Sequence, residues 1–486
     1  VTRSVGCNRL GSFQFASTNS QNDTFCPLVF DYVFIGDPTT KEMTSTVLDK
    51  WYYENDTTFV CVLKDGVTFS TGDKATSEDV LYSVLNLYER NSPFLNLFGT
   101  LNPSKCMTRD DKTAVFVFDS PWGPGLSLMD IFLYNKAWCQ KVGWDSPEWY
   151  SNPVGSGPYK VAEYVSDDHA TFELRDDCWD KQDYTVDTWI VRAYPDLGTM
   201  FIDLQVGKID LACGLSMDDY GKYKDSPPEG LTIKQVSQHD IEYLTMTIMA
   251  NPKFEDINIR KAIAFGVDWD AIGQMGHGDL WKKPTSMVSA DSPYHIDIGS
   301  YPFDTEQAKK ILADAGYKPG DLEFVFTTFE SEANKNMTEG LQFYLQQIGI
   351  KLDISFVDLA TYLAKSMEPE SFSDFGWSSN PLGSITGDPQ KSWVMLSPVP
   401  YLPNAGIKNQ EFLDLVKKAL NTIKPEERKA AYAAAQQSLF NNFDTMPITD
   451  VQSAIAYKTG AFNETLLDES IIRPDAINLR HLSIAK

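Results

Sequence analysis

Basic residues are scarce in this chain. Lys and Arg together number 42 against 67 Asp and Glu, a formal net charge of −25. A phosphate backbone or an anionic lipid surface demands clustered cations, so nucleic acid is excluded as a partner and docking on anionic lipid is disfavoured. Long apolar runs are missing too: none approaches the roughly 18 residues that cross a bilayer as a helix. Only five histidines are present (His169, His239, His277, His295 and His481), and they are scattered. His277, between Gly276 and Gly278, reads as a loop residue rather than a base or ligand. There is no C-x-x-C, no zinc-like Cys/His spacing, no G-x-S-x-G elbow, no H-E-x-x-H and no G-x-x-x-x-G-K-[ST]. Acidic pairs such as Asp110-Asp111 and Asp176-Asp177 sit in turn-like, solvated contexts. These absences nominate no catalytic residue, no metal ligand and no cofactor. The expectation is a protein that is not an enzyme.

Cysteine is confined to the first 213 residues: Cys7, Cys26, Cys61, Cys106, Cys139, Cys178 and Cys213. Six could pair and leave one over, or all could be buried thiols; both readings stand. Pairing would fit an oxidising exterior. The first residue is Val1 and no signal-like stretch follows, which carries the expectation that an upstream segment has been removed.

What is present is a chain of 486 residues, long enough for two or three domains, with 42% hydrophobic and 22% charged residues as in globular proteins. Aromatics reach 13%, including 11 Trp, which suits an apolar binding cleft as well as a core. Residues 1–5 read as a strand, 10–22 as a polar loop and 26–35 as an apolar segment. Strand-like runs follow at 57–63, 113–118 and 159–164. Thr76 and Asp79 form a capping-box-like start for a helix carrying Val80, Val84, Leu85 and Tyr88 on one face. Residues 138–150 are an aromatic-rich corner. The order strand 189–193, helix 196–206, strand 209–213 is a βαβ unit. Later strands are expected at 233–236, 243–249, 322–328 and 351–357. Asp256, Asp268, Asp304, Asn336 and Asp358 read as helix caps, and Pro425 opens a long Ala-rich helix to Phe440. Short strands and loops fill 446–458 and 470–486. The whole reads as α/β, with no repeat and no low-complexity linker.

The segment Ser373 to Pro389 (SDFGWSSNPLGSITGDP) stands apart. It begins as a strand bearing Trp377, then runs into Ser378, Ser379 and Asn380, and is broken by Pro381, Gly383, Gly387 and Pro389. It is either a core strand ending in a turn or a strand that delivers an indole and small polar groups to a cleft wall.

Several longer segments have a recognisable spelling. FVCVLKDGVTFSTGDKATSEDVLYSV (59–84), NPVGSGPYKV (152–161), LGTMFIDLQVGKIDLA (197–212), NPKFEDINIRKAIAFGVDWDAI (251–272) and FDTEQAKKILADAGY (303–317) occur in the order found in the extracellular solute-binding proteins of the peptide/nickel ABC importer class, family 5. The chain resembles that family over nearly its whole length. The resemblance implies a type II periplasmic-binding fold: two α/β lobes, a two-strand hinge and an extra inserted α/β domain near the N-terminus. By the same analogy 1–33, 150–237 and 455–486 form the first lobe, 34–149 the inserted domain and 238–454 the second ligand-binding lobe. It implies capture of a solute by lobe closure and delivery to a membrane permease, in the periplasm or as a lipid-anchored protein outside the cell membrane, by a monomer.

The resemblance also implies where a ligand would sit. The family carries a cleft-lining Trp where this chain has Trp377. Its dipeptide-specific members hold the peptide's amino group with an Asp three residues later, here Asn380, and the carboxylate with an Arg about fifty residues earlier, here near Thr328. Both charged anchors are absent at those positions, which points to an oligopeptide held through its backbone, or to a neutral oligosaccharide or other small polar solute. Asp374 or Asp388 could replace the lost carboxylate. Trp377, Ser378, Ser379, Asn380, Trp281, Phe13, Gln14, Thr328 and Asp388 are the candidate contacts. An α/β hydrolase, a receptor that has lost transport, and nickel or haem binding are the lesser alternatives.

Overall fold

The computed structural model describes the chain except residues 8–9, 11–23, 38, 91, 93–94, 128–129, 145, 249, 367–372, 379–387, 390–392, 394–406, 474–475 and 486. It divides into two compact units, Val1–Gln238 with Ser453–Lys486, and His239–Gln452. The chain passes between them twice, once within the strand Leu231–Met246 and once within the strand Thr445–Lys458.

In the first unit the strand Thr2–Cys7 lies between Thr188–Ala193 and Leu211–Ala212 and is parallel to both. The helix Leu197–Gln205, capped by Asp196, joins those two neighbours, as the βαβ reading expects. Tyr159–Val165 and His169–Leu174 extend the sheet antiparallel. A separate antiparallel sheet runs Leu48–Asn55, Thr58–Leu63, Thr113–Val117, Met107–Asp110. Beside it the helix Ser77–Glu89 starts in the expected capping box, with Asp79 reaching back to the Thr76 backbone N–H at 2.9 Å. The aromatic-rich stretch forms two short helices, Lys136–Val142 and Pro147–Ser151. Trp138 and Trp144 close on Trp149 at ring distances of 4.7 and 4.6 Å.

The loop Asn152–Pro158 shows why its glycines are needed. A Cβ on Gly155 would lie 1.9 Å from the Val29 carbonyl oxygen, and one on Gly157 2.6 Å from that of Leu28. Only bare backbone can pass so close to the helix Cys26–Val29. Nearby, Asp31 and Arg480 form a fully buried ion pair, with Asp180 on the same guanidinium at 2.6 Å. Burial alone would raise the Asp31 carboxyl; Arg480 outweighs it and holds the group below its usual value. Burial pushes the Cys61, Cys106, Cys139 and Cys178 thiols up, so none of these four is an activated thiolate.

The second unit has two apolar cores, on opposite faces of one strand. Leu244 and Met246 face a core with Ile259, Ile263, Phe324, Phe326, Leu341 and Phe375. Ile241 and Tyr243 face another with Trp393, Phe412, Tyr432 and Leu439. Strands Leu322–Phe329 and Ile350–Val357 are parallel, joined by the helix Glu332–Gln347. Asp256, Asp268 and Asp304 cap their helices as expected. Three local expectations are corrected. Ser331, not Asn336, caps the helix Glu332–Gln347; its hydroxyl accepts from the Asn334 N–H, and Asn336 lies inside the helix. Residues 231–246 are one continuous strand, in which His239 takes a φ of 55° through the polar stretch that reads as a break. A helix, Gln410–Leu420, stands where none was read, although Asn409 caps it and Phe412, Val416 and Ala419 keep a helical spacing.

Candidate functional site

Trp377 lies on the short strand Phe375–Ser378, which pairs antiparallel with Tyr243–Met246. Leu244 is its partner in register, so the indole stands on the face of Leu244 and Met246. Its ring centre is 5.1 Å from that of Phe326, and its Nε1 donates to the buried Thr338 hydroxyl at 2.9 Å. The indole is half-buried, packed against the core with its Nε1 edge fastened to Thr338. Ser378 pairs with Tyr243 and so projects to the opposite face, where its hydroxyl lies 3.5 Å from that of Thr245. A period of two residues thus separates two side chains that are neighbours in the sequence.

The same unit holds a pair that motif reading passed over. Glu242 precedes Leu244 by two residues on the same face of the strand. Its Oε2 meets His277 Nε2 at 2.5 Å, and the two side chains are 13% and 17% exposed. His277 is the last residue of the helix Trp269–His277. That helix end abuts the helix carrying Thr338, since a Cβ on Gly276 would come within 2.5 Å of the Met337 sulfur. The helix Glu332–Gln347 thus meets Trp377 at Thr338 and the end of the helix Trp269–His277 at Met337. No sequence signal joins 242 to 277; only the polar residue inside an apolar strand hinted at it.

The remaining candidates are dispersed. Trp281 donates from Nε1 to the Ile448 carbonyl at 3.0 Å and lies so close to Gly273 that no side chain fits there. Thr328 is buried, and its hydroxyl accepts from Asn334 at 3.4 Å. Asp388 is buried too: Tyr432 donates to it at 2.8 Å and the Arg428 guanidinium lies 3.9 Å away. Burial, together with the Asp388 charge, pushes the Tyr432 hydroxyl well above its ordinary value. Asp374 accepts from the Val325 N–H at 2.7 Å, holding its segment to the strand Leu322–Phe329. Phe13, Gln14, Ser379 and Asn380 lie outside the described residues. A separate cavity of about 180 Å³ is walled by Trp269, Tyr301, Phe303 and Phe440 with Asp270 and Lys283, and contains none of the candidates. Among the described residues, no three His, Cys, Asp or Glu side chains are grouped to hold a metal ion, and no helix is long and apolar enough to cross a membrane.

Residues 42–397 match the model of the bacterial extracellular solute-binding proteins, family 5. The chain belongs to this family. Among relatives, heme-binding protein A of Haemophilus influenzae is 26% identical over 84% of this chain and 79% of its own length. The dipeptide-binding protein DppE of Bacillus subtilis is 23% identical over 84% and 78%. Among solved structures, the periplasmic binding protein DppA of Helicobacter pylori in complex with the peptide STSA superposes with a TM-score of 0.79 at 18% identity, covering 100% of this chain and 98% of that one. The fold is therefore the type II periplasmic-binding fold of family 5, as the sequence resemblance implied.

Proposed function

We propose that this protein is the extracytoplasmic substrate-binding component of an ABC importer and that its solute is an oligopeptide. The observation that carries the reading is the family 5 match over 42–397, with peptide-binding relatives aligned along most of the chain. In this proposal the first lobe comprises 1–33, 150–237 and 455–486, the inserted domain 34–149 and the second lobe 238–454. The two strands that carry the chain between the compact units are the hinge. Trp377 walls the solute from the second lobe, Ser379 and Asn380 follow it in the chain, and Phe13 and Gln14 meet the solute from the first; Ser378, on the opposite face of its strand, and Trp281, bonded to the Ile448 carbonyl, stand apart from that wall. Thr328 and Asp388 hold their own unit together, and their hydrogen bonds support that role. A monomer, in the periplasm or lipid-anchored, hands the solute to a membrane permease without a catalytic step.

The test is a thermal-shift panel on protein freed of co-purified ligand by unfolding and refolding. Probes are a casein hydrolysate, a maltodextrin mixture and hemin. The expected outcome is a raised Tm with the hydrolysate alone. Stabilisation by maltodextrin or hemin with none from peptides overturns the reading.

A further inference from the structure

Among the described residues, Lys41, Asp167, His239 and Phe443 take a positive φ without being glycine. Of these only His239 lies inside a strand, Leu231–Met246, at a φ of 55°. A residue with a Cβ is strained in that region, so its surroundings must hold it there. The strand changes character at the same residue. Before His239 only Val236 is buried, and from Asp240 onward every residue except Glu242 is. His239 is also the first residue of the second compact unit.

The contacts that could hold it come from one segment of the same unit. Asp291 Oδ2 lies 3.4 Å from His239 Nδ1. Just before it in the chain, the Ser289 hydroxyl donates to Asp450 Oδ1 at 2.9 Å and the Ala290 N–H donates to Asp450 Oδ2 at 3.2 Å. Asp450 lies on Thr445–Lys458, the other strand on which the chain passes between the units, shortly before Gln452, where the second unit ends. Its carboxylate is buried and Lys282 Nζ pairs with it at 2.9 Å, while its N–H donates to the Lys282 carbonyl at 2.9 Å. A buried carboxylate supplied with all these donors is a rigid node. Ser289–Asp291 therefore touches both crossing strands, one at Asp450 and the other at His239. We infer that this segment is a brace that keeps His239 left-handed, so that bending of the two crossing strands falls on 231–238 and 451–458 and spares the braced residues. The inference rests on the hinge reading above and adds positioning residues to it. Confining the bend limits the number of closed arrangements, and with it the entropy lost on binding.

The experiment is amide hydrogen exchange read by mass spectrometry on the full chain, first freed of co-purified ligand and then with casein hydrolysate. In the ligand-free protein, Ser289→Ala should speed exchange at 448–450 and also at 239–241 by about tenfold, the scale of a lost hydrogen bond to a carboxylate. His239→Gly, which frees the backbone, should speed exchange at 239–241. His239→Asn should not, because Asn tolerates the left-handed region without an imidazole. Melting curves confirm that each variant folds. With hydrolysate, exchange in the unmodified protein should change at 231–238 and 451–458 and stay constant at 239–241 and 448–450. Unaltered exchange at 239–241 in Ser289→Ala, or exchange in His239→Asn as fast as in His239→Gly, overturns the brace. So does a hydrolysate effect at 239–241 as large as that at 231–238. If hydrolysate changes exchange nowhere in the chain, the peptide reading falls, and the ligand-free comparison still decides the brace.

Discussion

Trp377 holds two roles that substitutions can separate. Its indole packs on Phe326 and donates to Thr338, so Trp377→Ala opens a space in the core as well as removing a ligand wall. Its loss should lower peptide affinity by at least about 1–2 kcal/mol, read by calorimetry. Thr338→Val removes only the acceptor. It should cost about 1 kcal/mol of stability in urea unfolding and leave affinity unchanged. If Thr338→Val weakens binding as much as Trp377→Ala does, the indole acts by position alone. Asp444 supplies a pH signature. Burial raises its carboxyl to about 6, with Asn409 donating at 2.7 Å and Arg260 3.6 Å away. The folded state thus holds this proton more tightly than the unfolded chain does. The resulting stability is fully present below about pH 4 and is lost as pH rises to about 6, by at most about 3 kcal/mol. Plotted against pH, the stability difference between Asp444→Asn and the unmodified protein should change across that window and be flat above it. The strand that carries Trp377 was legible in the sequence, because an indole in an apolar run before a broken polar loop is a local pattern. The contact of Glu242 with His277 was not, because the two are 35 residues apart and Gly276 and Gly278 disguise His277 as a loop residue.

At the scale of elements, most caps and strands were legible, and the errors share a cause. Ser331 and Asn336 both have the chemistry of a cap; which one starts the helix depends on where the strand Leu322–Phe329 releases the chain. Ser331→Ala should therefore cost about 1 kcal/mol in denaturant unfolding, and Asn336→Ala markedly less. The reverse order would restore the sequence-based assignment. Gly155 makes a sharper prediction. Its loop hydrogen bonds, Ser70 N–H to the Gly155 carbonyl and Gly157 N–H to the Val29 carbonyl, both at 2.8 Å, hold it against the helix Cys26–Val29. Gly155→Ala should strongly lower the thermal midpoint, because the obstacle is backbone and cannot rotate away.

For the molecule as a whole, the first unit is assembled from both ends of the chain. Arg480 reaches Asp31 and Asp180 across about 450 and 300 residues of sequence. Arg480→Ala leaves the fully buried Asp31 uncompensated and should cost about 3–5 kcal/mol, measured by urea unfolding. The double variant Asp31→Asn, Arg480→Met should recover much of that loss. Lobe closure belongs to the same scale: small-angle scattering should show a smaller radius of gyration with casein hydrolysate than without it. No compaction with a peptide that binds would remove the hinge from the proposed mechanism.

By itself the sequence determined the charge balance, the strand–helix alternation and the family, since composition, periodicity and segment spelling are all properties of neighbouring residues. Only the tertiary structure decided which side chains meet. It placed Trp377 and Ser378 on opposite faces of one strand, held Asp388 within a core, and brought His277 to Glu242. Those outcomes follow from strand pairing and from where helices end against each other, and both are set by contacts between residues far apart in the chain.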